Sequence, residues 1–440
     1  MNSPIGMAGS AAHSLGLTEG GGKAAVARAL AVALLLGLAA IAYFRAAEHE
    51  VKLYATIFYL VSYSDGLIRR GLAGEIVSWF IDQREIAAVR HAVTIAYTVL
   101  VVVFLACLFA WTIVLERRRR DYLLLGLLAV FLTSQFVPVV AHDAGFLDLY
   151  DYLLVLIAAV GFVRDRWIVV AFAGLVGPFV HEAFIFCWMP LAMVVAWERT
   201  SAGRIALLLS PLVSTALIYF GVSPETTEIR VMATAMSEGD KAQFVRWHFG
   251  QTFLSNLEMM IWKIRHNAIN TTIGIVFSTL PAMVMVAVYG AIRRRWIDTA
   301  VLAGASFVSL SILLVAWDLS RLSVPASFFA LLAILYMESV RPAGHCRWPA
   351  VAVCVAASIL FVQVPVVYAF FEFATVADTG RPLDTRSWPI GRLTERGVRY
   401  FSRNIGPKFI DQIGHESPPG AVWYVEESAW RGVWLRRPGT

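Results

Sequence analysis

Runs of about twenty apolar residues recur along most of this chain, and nothing else in it limits the fold as tightly. Each such run is about the length that crosses a bilayer as a helix. They fall at 25–44, 89–114, 122–141, 152–163, 168–180, 183–197, 205–222, 270–291, 298–316, 322–339 and 349–371 of the 440 residues. The expected fold class is therefore all-α and polytopic, with about eleven transmembrane helices, several of them short. Only 15% of residues are charged and the mean hydropathy is +0.67, whereas an ordinary soluble domain devotes about a quarter of its residues to charge.

The stretch 168–197 is too long for one span and short for two. With Gly177 and Pro178 at its middle, the reading adopted is two short helices that turn near the far side of the membrane. A single kinked helix would reverse every later span.

A formal net charge of +6 does not point to nucleic acid, because the arginines lie in short runs at the ends of apolar segments. Examples are "ERRRR" at 116–120 and "RRR" at 293–295. With the N-terminus inside, the turns at 115–121, 164–167, 198–204, 292–297 and 340–348 all become cytoplasmic, and each carries at least two Lys or Arg. The first apolar run follows 22 residues with no basic residue and is longer than a signal-peptide core, so it is expected as an anchor. The four cysteines show neither metal-ligand spacing nor a disulfide framework.

This orientation divides the chain into a cytoplasmic tail at 1–22, expected to be disordered, a transmembrane domain at 23–371, and an external C-terminal appendage at 372–440. External loops are expected at 45–88, 142–151 and 223–269. Within the appendage, "PPGAVWYVEESAWRGVWLRR" alternates apolar and polar residues about "EES", as a hairpin does.

Ionisable residues are rare near the spans, and they collect in four clusters on the external side. "YSDGLIRRGLAGEI" at 63–76 carries Asp65, Arg69 and Arg70; Asp65 and Arg69, four apart, would share one helix face. Read alone, it is equally well an interfacial helix whose arginines reach lipid headgroups. "AHDAGFLDLYD" carries His142, Asp143, Asp148 and Asp151. "GPFVHEAF" carries His181 and Glu182, and "AWDLSRLS" carries Asp318 and Arg321. Four clusters at one depth on one face favour a shared site, because charge beside membrane spans is costly and faces partners.

Arginine binds phosphate by bidentate, charge-assisted hydrogen bonds. A carboxylate beside it can take the proton of an attacking hydroxyl, while cationic groups steady a departing phosphate. That division of labour suits transfer of a sugar from a lipid-phosphate donor. Asp65 is the expected base, and Asp143 a second carboxylate able to hold a divalent cation through hard oxygen ligands. Arg69, Arg70, His142, His181 and Arg321 are expected to hold the carrier phosphate, with Asp148, Glu182 and Asp318 as further polar groups of the site.

The layout resembles the GT-C class of polyprenyl-phosphate-dependent membrane glycosyltransferases: an inside N-terminus, an acidic first external loop ("YSDGLIRRG"), an acidic second loop ("AHDAGFLD") and an external C-terminal appendage. The resemblance implies a first-loop catalytic base, which maps to Asp65, and a second-loop acid, which maps to Asp143 or Asp148. That class often carries its acid soon after the first span, where this chain offers Glu48 and Glu50. It also implies residence in a bacterial-type inner membrane, with membrane lipids, a polyprenyl-phosphate-linked sugar and a glycan, lipid or protein acceptor as partners. Competing readings are a polysaccharide polymerase or ligase acting on polyprenyl-linked glycans, a transporter or lipid flippase with "GLVGPFVHE" as its helix break, and an assembly factor. His181-Glu182 does not extend to a zinc-protease helix, because position 185 is Ile.

Overall fold

The computed structural model describes residues 20–44, 51, 53–63, 70–119, 122–198, 201–221, 268–294, 296–314, 322–341 and 348–363, with short strands beyond them. The architecture is helical. The first part of the chain forms α1 (Gly20–Phe44), α2 (Leu53–Thr56) running into a 3-10 turn (Ile57–Tyr59), α3 (Gly71–Ser78) and the long α4 (Ile86–Arg119). Next come α5 (Leu123–Thr133), α6 (Phe136–His142), α7 (Asp148–Val163), α8 (Trp167–Val180) and α9 (Phe184–Trp197). The later helices are α10 (Ala202–Leu208), α11 (Ser210–Gly221), α12 (Ala268–Arg293), α13 (Trp296–Val308) with a 3-10 extension (Ser309–Leu314), α14 (Pro325–Val340) and α15 (Trp348–Gln363).

Several expected spans are broken, and the sequence explains each break. The run 122–141 divides at Ser134, whose backbone turns extended. Its hydroxyl donates to the Phe131 carbonyl at 2.6 Å and accepts the Phe136 N–H at 3.2 Å, so one side chain closes α5 and opens α6. Pro138 then falls in the first turn of α6, where a missing N–H costs nothing. The run 205–222 divides between α10 and α11, with Pro211 in the first turn of the second piece. The stretch 168–197 forms two helices, α8 and α9, with His181 extended between them. The last run ends as a helix at Gln363, two residues before Pro365, rather than at 371. Val367–Phe370 pairs antiparallel with Phe373–Val376 instead. Farther on, Tyr424–Glu426 pairs antiparallel with Trp434–Arg436, within the stretch whose alternation suggested a hairpin.

These breaks alter the count of spans. Among the described residues only Ile86–Arg118 and Trp296–Leu313 are individually long and apolar enough to cross a membrane. Helices α8 and α9 have 14 residues each, about 21 Å at the usual helical rise.

Helices α5 and α14 form the centre, and almost every residue of both is buried. Phe104, Phe131, Phe136, Tyr152, Phe328 and Phe329 pack there with ring centroids 5.0–6.2 Å apart, in the range of favourable offset and edge contacts.

The two sets of turns separated by charge meet at opposite ends of this bundle. At one end Arg293 pairs with Glu338 at 3.0 Å, both buried, and the Tyr289 hydroxyl donates to the same carboxylate at 2.8 Å. Arg341 pairs there with Glu198 and lies 3.7 Å from Asp298, which accepts the Trp197 indole N–H at 3.0 Å. Arg204 pairs with Asp165 at 3.0 Å. At the other end the first-loop segment meets the start of α7 and the α8–α9 turn.

Gly74 is the point where α3 rests on the chain before it, since a Cβ there would overlap the Val61 carbonyl oxygen. Gln83 locks the same contact, its amide donating to the Tyr59 and Gly74 carbonyls at 2.9 Å each. Gly74→Ala is expected to cost about 1–3 kcal/mol, as overpacking does, because a backbone oxygen cannot step aside as a flexible side chain can. A thermal unfolding midpoint unchanged in detergent would contradict this packing.

Candidate functional site

The site is built on the start of α7. The loop before that helix turns at Gly145, whose φ of 92° suits glycine, and a Cβ there would also strike Val51. The Tyr59 hydroxyl donates to the Gly145 carbonyl at 2.9 Å. The first-loop segment thus fixes the second loop from outside. Asp148 and Asp151 follow in the first turn of α7, both buried. Spaced three apart, they share one helix face, and carboxylates at a helix start oppose its dipole favourably.

The α8–α9 turn supplies the groups that meet them. His181 leaves α8 in an extended conformation, and its Nδ1 lies 2.9 Å from Asp151 Oδ2 and 3.9 Å from Asp148 Oδ1. Glu182 turns the other way and receives Arg70 through two parallel bonds, Nε to Oε2 at 2.8 Å and Nη2 to Oε1. Arg70 sits just before α3 in a left-handed conformation, φ 59°, which is rare for a long side chain. Its guanidinium lies over the Phe58 ring, 5.2 Å from the centroid. Glu75 steadies the same loop by accepting the Tyr63 N–H at 2.9 Å.

Electrostatics follow from these contacts. Burial pushes the Glu182 carboxyl up, but the Arg70 guanidinium outweighs it and holds the group well below the usual carboxylate range. Burial lowers His181, yet the Asp151 carboxylate more than offsets this, and the imidazole is raised above its ordinary value. With Nδ1 engaged by Asp151, Nε2 is the side of the ring that would meet a substrate. Asp151 Oδ1, also buried, has no hydrogen-bond partner among the described residues. The arrangement can orient an imidazole, hold its proton and present it to a ligand.

Of the residues expected from sequence, Arg70, Asp148, His181 and Glu182 come together here. Asp143 is buried at the C-terminal cap of α6, and His142 is the last residue of that helix. Asp65, Arg69, Asp318 and Arg321, with the alternative acids Glu48 and Glu50, lie outside the described residues. Arg70, expected to hold a phosphate, is engaged by Glu182. Among the described residues, no group of three His, Cys, Asp or Glu is placed to hold a metal ion. Sequence reasoning gave Asp151 no role of its own. Its spacing of three from Asp148, just before a span, was the available signal.

Asp151→Asn tests the dyad. Its removal is expected to lower the His181 titration midpoint, followed by NMR on histidine-labelled protein; an unchanged midpoint would mean that Asp151 does not govern the imidazole. Because the folded His181 value is raised, the imidazole's own contribution to stability is present below about pH 6.5 and lost as pH rises through the folded value. The variant should lose that pH dependence. No protein-family model matches the chain, and neither a curated protein nor a solved structure is significantly similar to it.

Proposed function

We propose that the chain is a polytopic membrane protein with an external acid–base site, a glycosyltransferase that moves a sugar from a polyprenyl-phosphate donor to an acceptor. The observation that carries this reading is the convergence of Arg70, the Asp148–Asp151 pair and His181–Glu182, from three separate segments, at one end of an apolar helix bundle. Buried titratable groups that perturb one another in this way mark functional sites more often than structural ones.

The membrane part of the reading draws on the surface. Leu34, Val102, Ile168, Phe172, Leu217, Phe220 and Leu360 all stand exposed on helices, Ile168 and Phe220 by more than four-fifths. So much exposed hydrocarbon on several helices fits a lipid surround better than water. At the site end, Trp79 and Phe80 are exposed immediately after α3, where aromatic side chains suit a headgroup boundary.

In the proposed reaction the acceptor hydroxyl attacks the anomeric carbon, its proton passes to a carboxylate, and the sugar–phosphate C–O bond breaks to release the polyprenyl phosphate. Asp65 is the base that the family resemblance offers. Protonated His181, held by Asp151, would steady the charge growing on the leaving phosphate.

A second reading, transport, is favoured by one observation. At the break between α5 and α6 both side-chain polar atoms of Gln135 are buried without a hydrogen-bond partner among the described residues, and discontinuous helices lining a binding site are typical of transporters.

Two measurements separate these readings. Asp65→Asn and Asp151→Asn, each at matched protein levels, are expected to cause one lipid-linked sugar to accumulate in membranes, read by mass spectrometry. Unchanged lipid profiles and surface glycans in both would end the transferase reading and favour transport. A topology reporter fused at Pro224 is expected to report the external side; a cytoplasmic signal would refute the assigned orientation.

A further inference from the structure

Glu182 occupies a position of unusual asymmetry. The Arg70 guanidinium is fixed from three sides: by its left-handed backbone, by the Phe58 ring beneath it and by enclosure that leaves only 13% of its side chain exposed. Glu182 is held far less, with 32% of its side chain exposed on a three-residue turn between two helices. The two planar bonds it accepts are the same bonds a phosphoryl group accepts from arginine. One partner is enclosed and the other is a third open to solvent.

We propose that Glu182 is a resident stand-in for a phosphoryl anion, and that ligand binds by displacing it from Arg70. This rests on the reading of a phosphate-bearing substrate and deepens it. The charge count favours exchange over simple addition. Arg70 and Glu182 cancel, while Asp148 and Asp151 sit beside His181 within 3.9 Å. An anion entering with Glu182 in place would meet three carboxylates in an apolar setting. One that replaces Glu182 leaves the number of negative groups around Arg70 unchanged, and the displaced carboxylate regains its hydration.

The test uses the full chain in detergent with two probes, inorganic phosphate and undecaprenyl phosphate. Glu182→Gln is expected to lower the thermal midpoint without ligand, because Arg70 then loses a charged partner, and to bind a phosphoryl probe about tenfold more tightly than wild type. The same probe should raise its midpoint by more than it raises that of wild type. Arg70→Gln should abolish the response. If both probes act alike, the ligand is recognised as free phosphate. If only the lipid acts, the site reads a lipid headgroup; either result supports the exchange. Equal or weaker binding in Glu182→Gln would overturn it, as would a response that survives in Arg70→Gln. Should Glu182→Gln not fold, Glu182→Asp keeps the charge but shortens its reach, and must shift affinity in the same direction. Tighter lipid-phosphate binding in Glu182→Gln without any accumulated lipid-linked sugar in Asp65→Asn would sustain the exchange while removing glycosyl transfer.

Discussion

A charge inside an apolar bundle is tolerable only beside its counter-charge, and the chain satisfies that condition at both ends. At one end Arg293 lies against Glu338, and the Tyr289 hydroxyl donates to the same carboxylate. At the other, Arg70 lies against Glu182 and His181 against Asp151. These pairs decide which helix ends lie together. The Arg293–Glu338 pair joins α12 to α14, and the Arg341 contacts tie α14 to the end of α9 and the start of α13. The bundle between them is held by shape and apolar contact, which by themselves would permit helices to slide. Ion pairs at the ends give the packing its register.

The two ends are nevertheless built differently. Arg293 and Glu338 are almost fully enclosed, at 2% and 0% side-chain exposure, and both lie on helices. The Arg70 end is assembled from a turn, a loop and a helix start, and its carboxylate partner is a third exposed. Removing one member of an enclosed pair strands the other without water. Removing one member of a half-exposed pair lets solvent or a ligand take its place. That contrast is the physical reason to look for binding at one end and for structural support at the other.

Much of this was legible in the sequence because charge is so scarce. The arginine runs and the acidic loops could be sorted into two sides by counting alone, and ion pairs and side-chain bonds do connect residues within each side: 165 with 204, 198 and 298 with 341; 70 with 182, 151 with 181. The α8–α9 division was readable from Gly177 and Pro178. The α5–α6 division was not. Ser134 and Gln135 have neither glycine nor proline beside them in an apolar run, and a serine inside such a run is as compatible with a continuous helix as with a cap. The pairing of Arg70 with Glu182 was equally hidden. It depends on a contact between residues 112 apart in sequence, and periodicity carries no information at that distance.

The aromatic cluster of Phe136, Tyr152, Phe328 and Phe329 includes the residue that follows Asp151 in α7. Below it, α14 continues as buried hydrocarbon to Met337 before Glu338 is reached. In electrical terms this is an insulating layer. Field lines from Arg70 and Asp151 are hardly weakened on that side, and any screening must come from the solvent face. Ionic strength should therefore act on the site from one direction only.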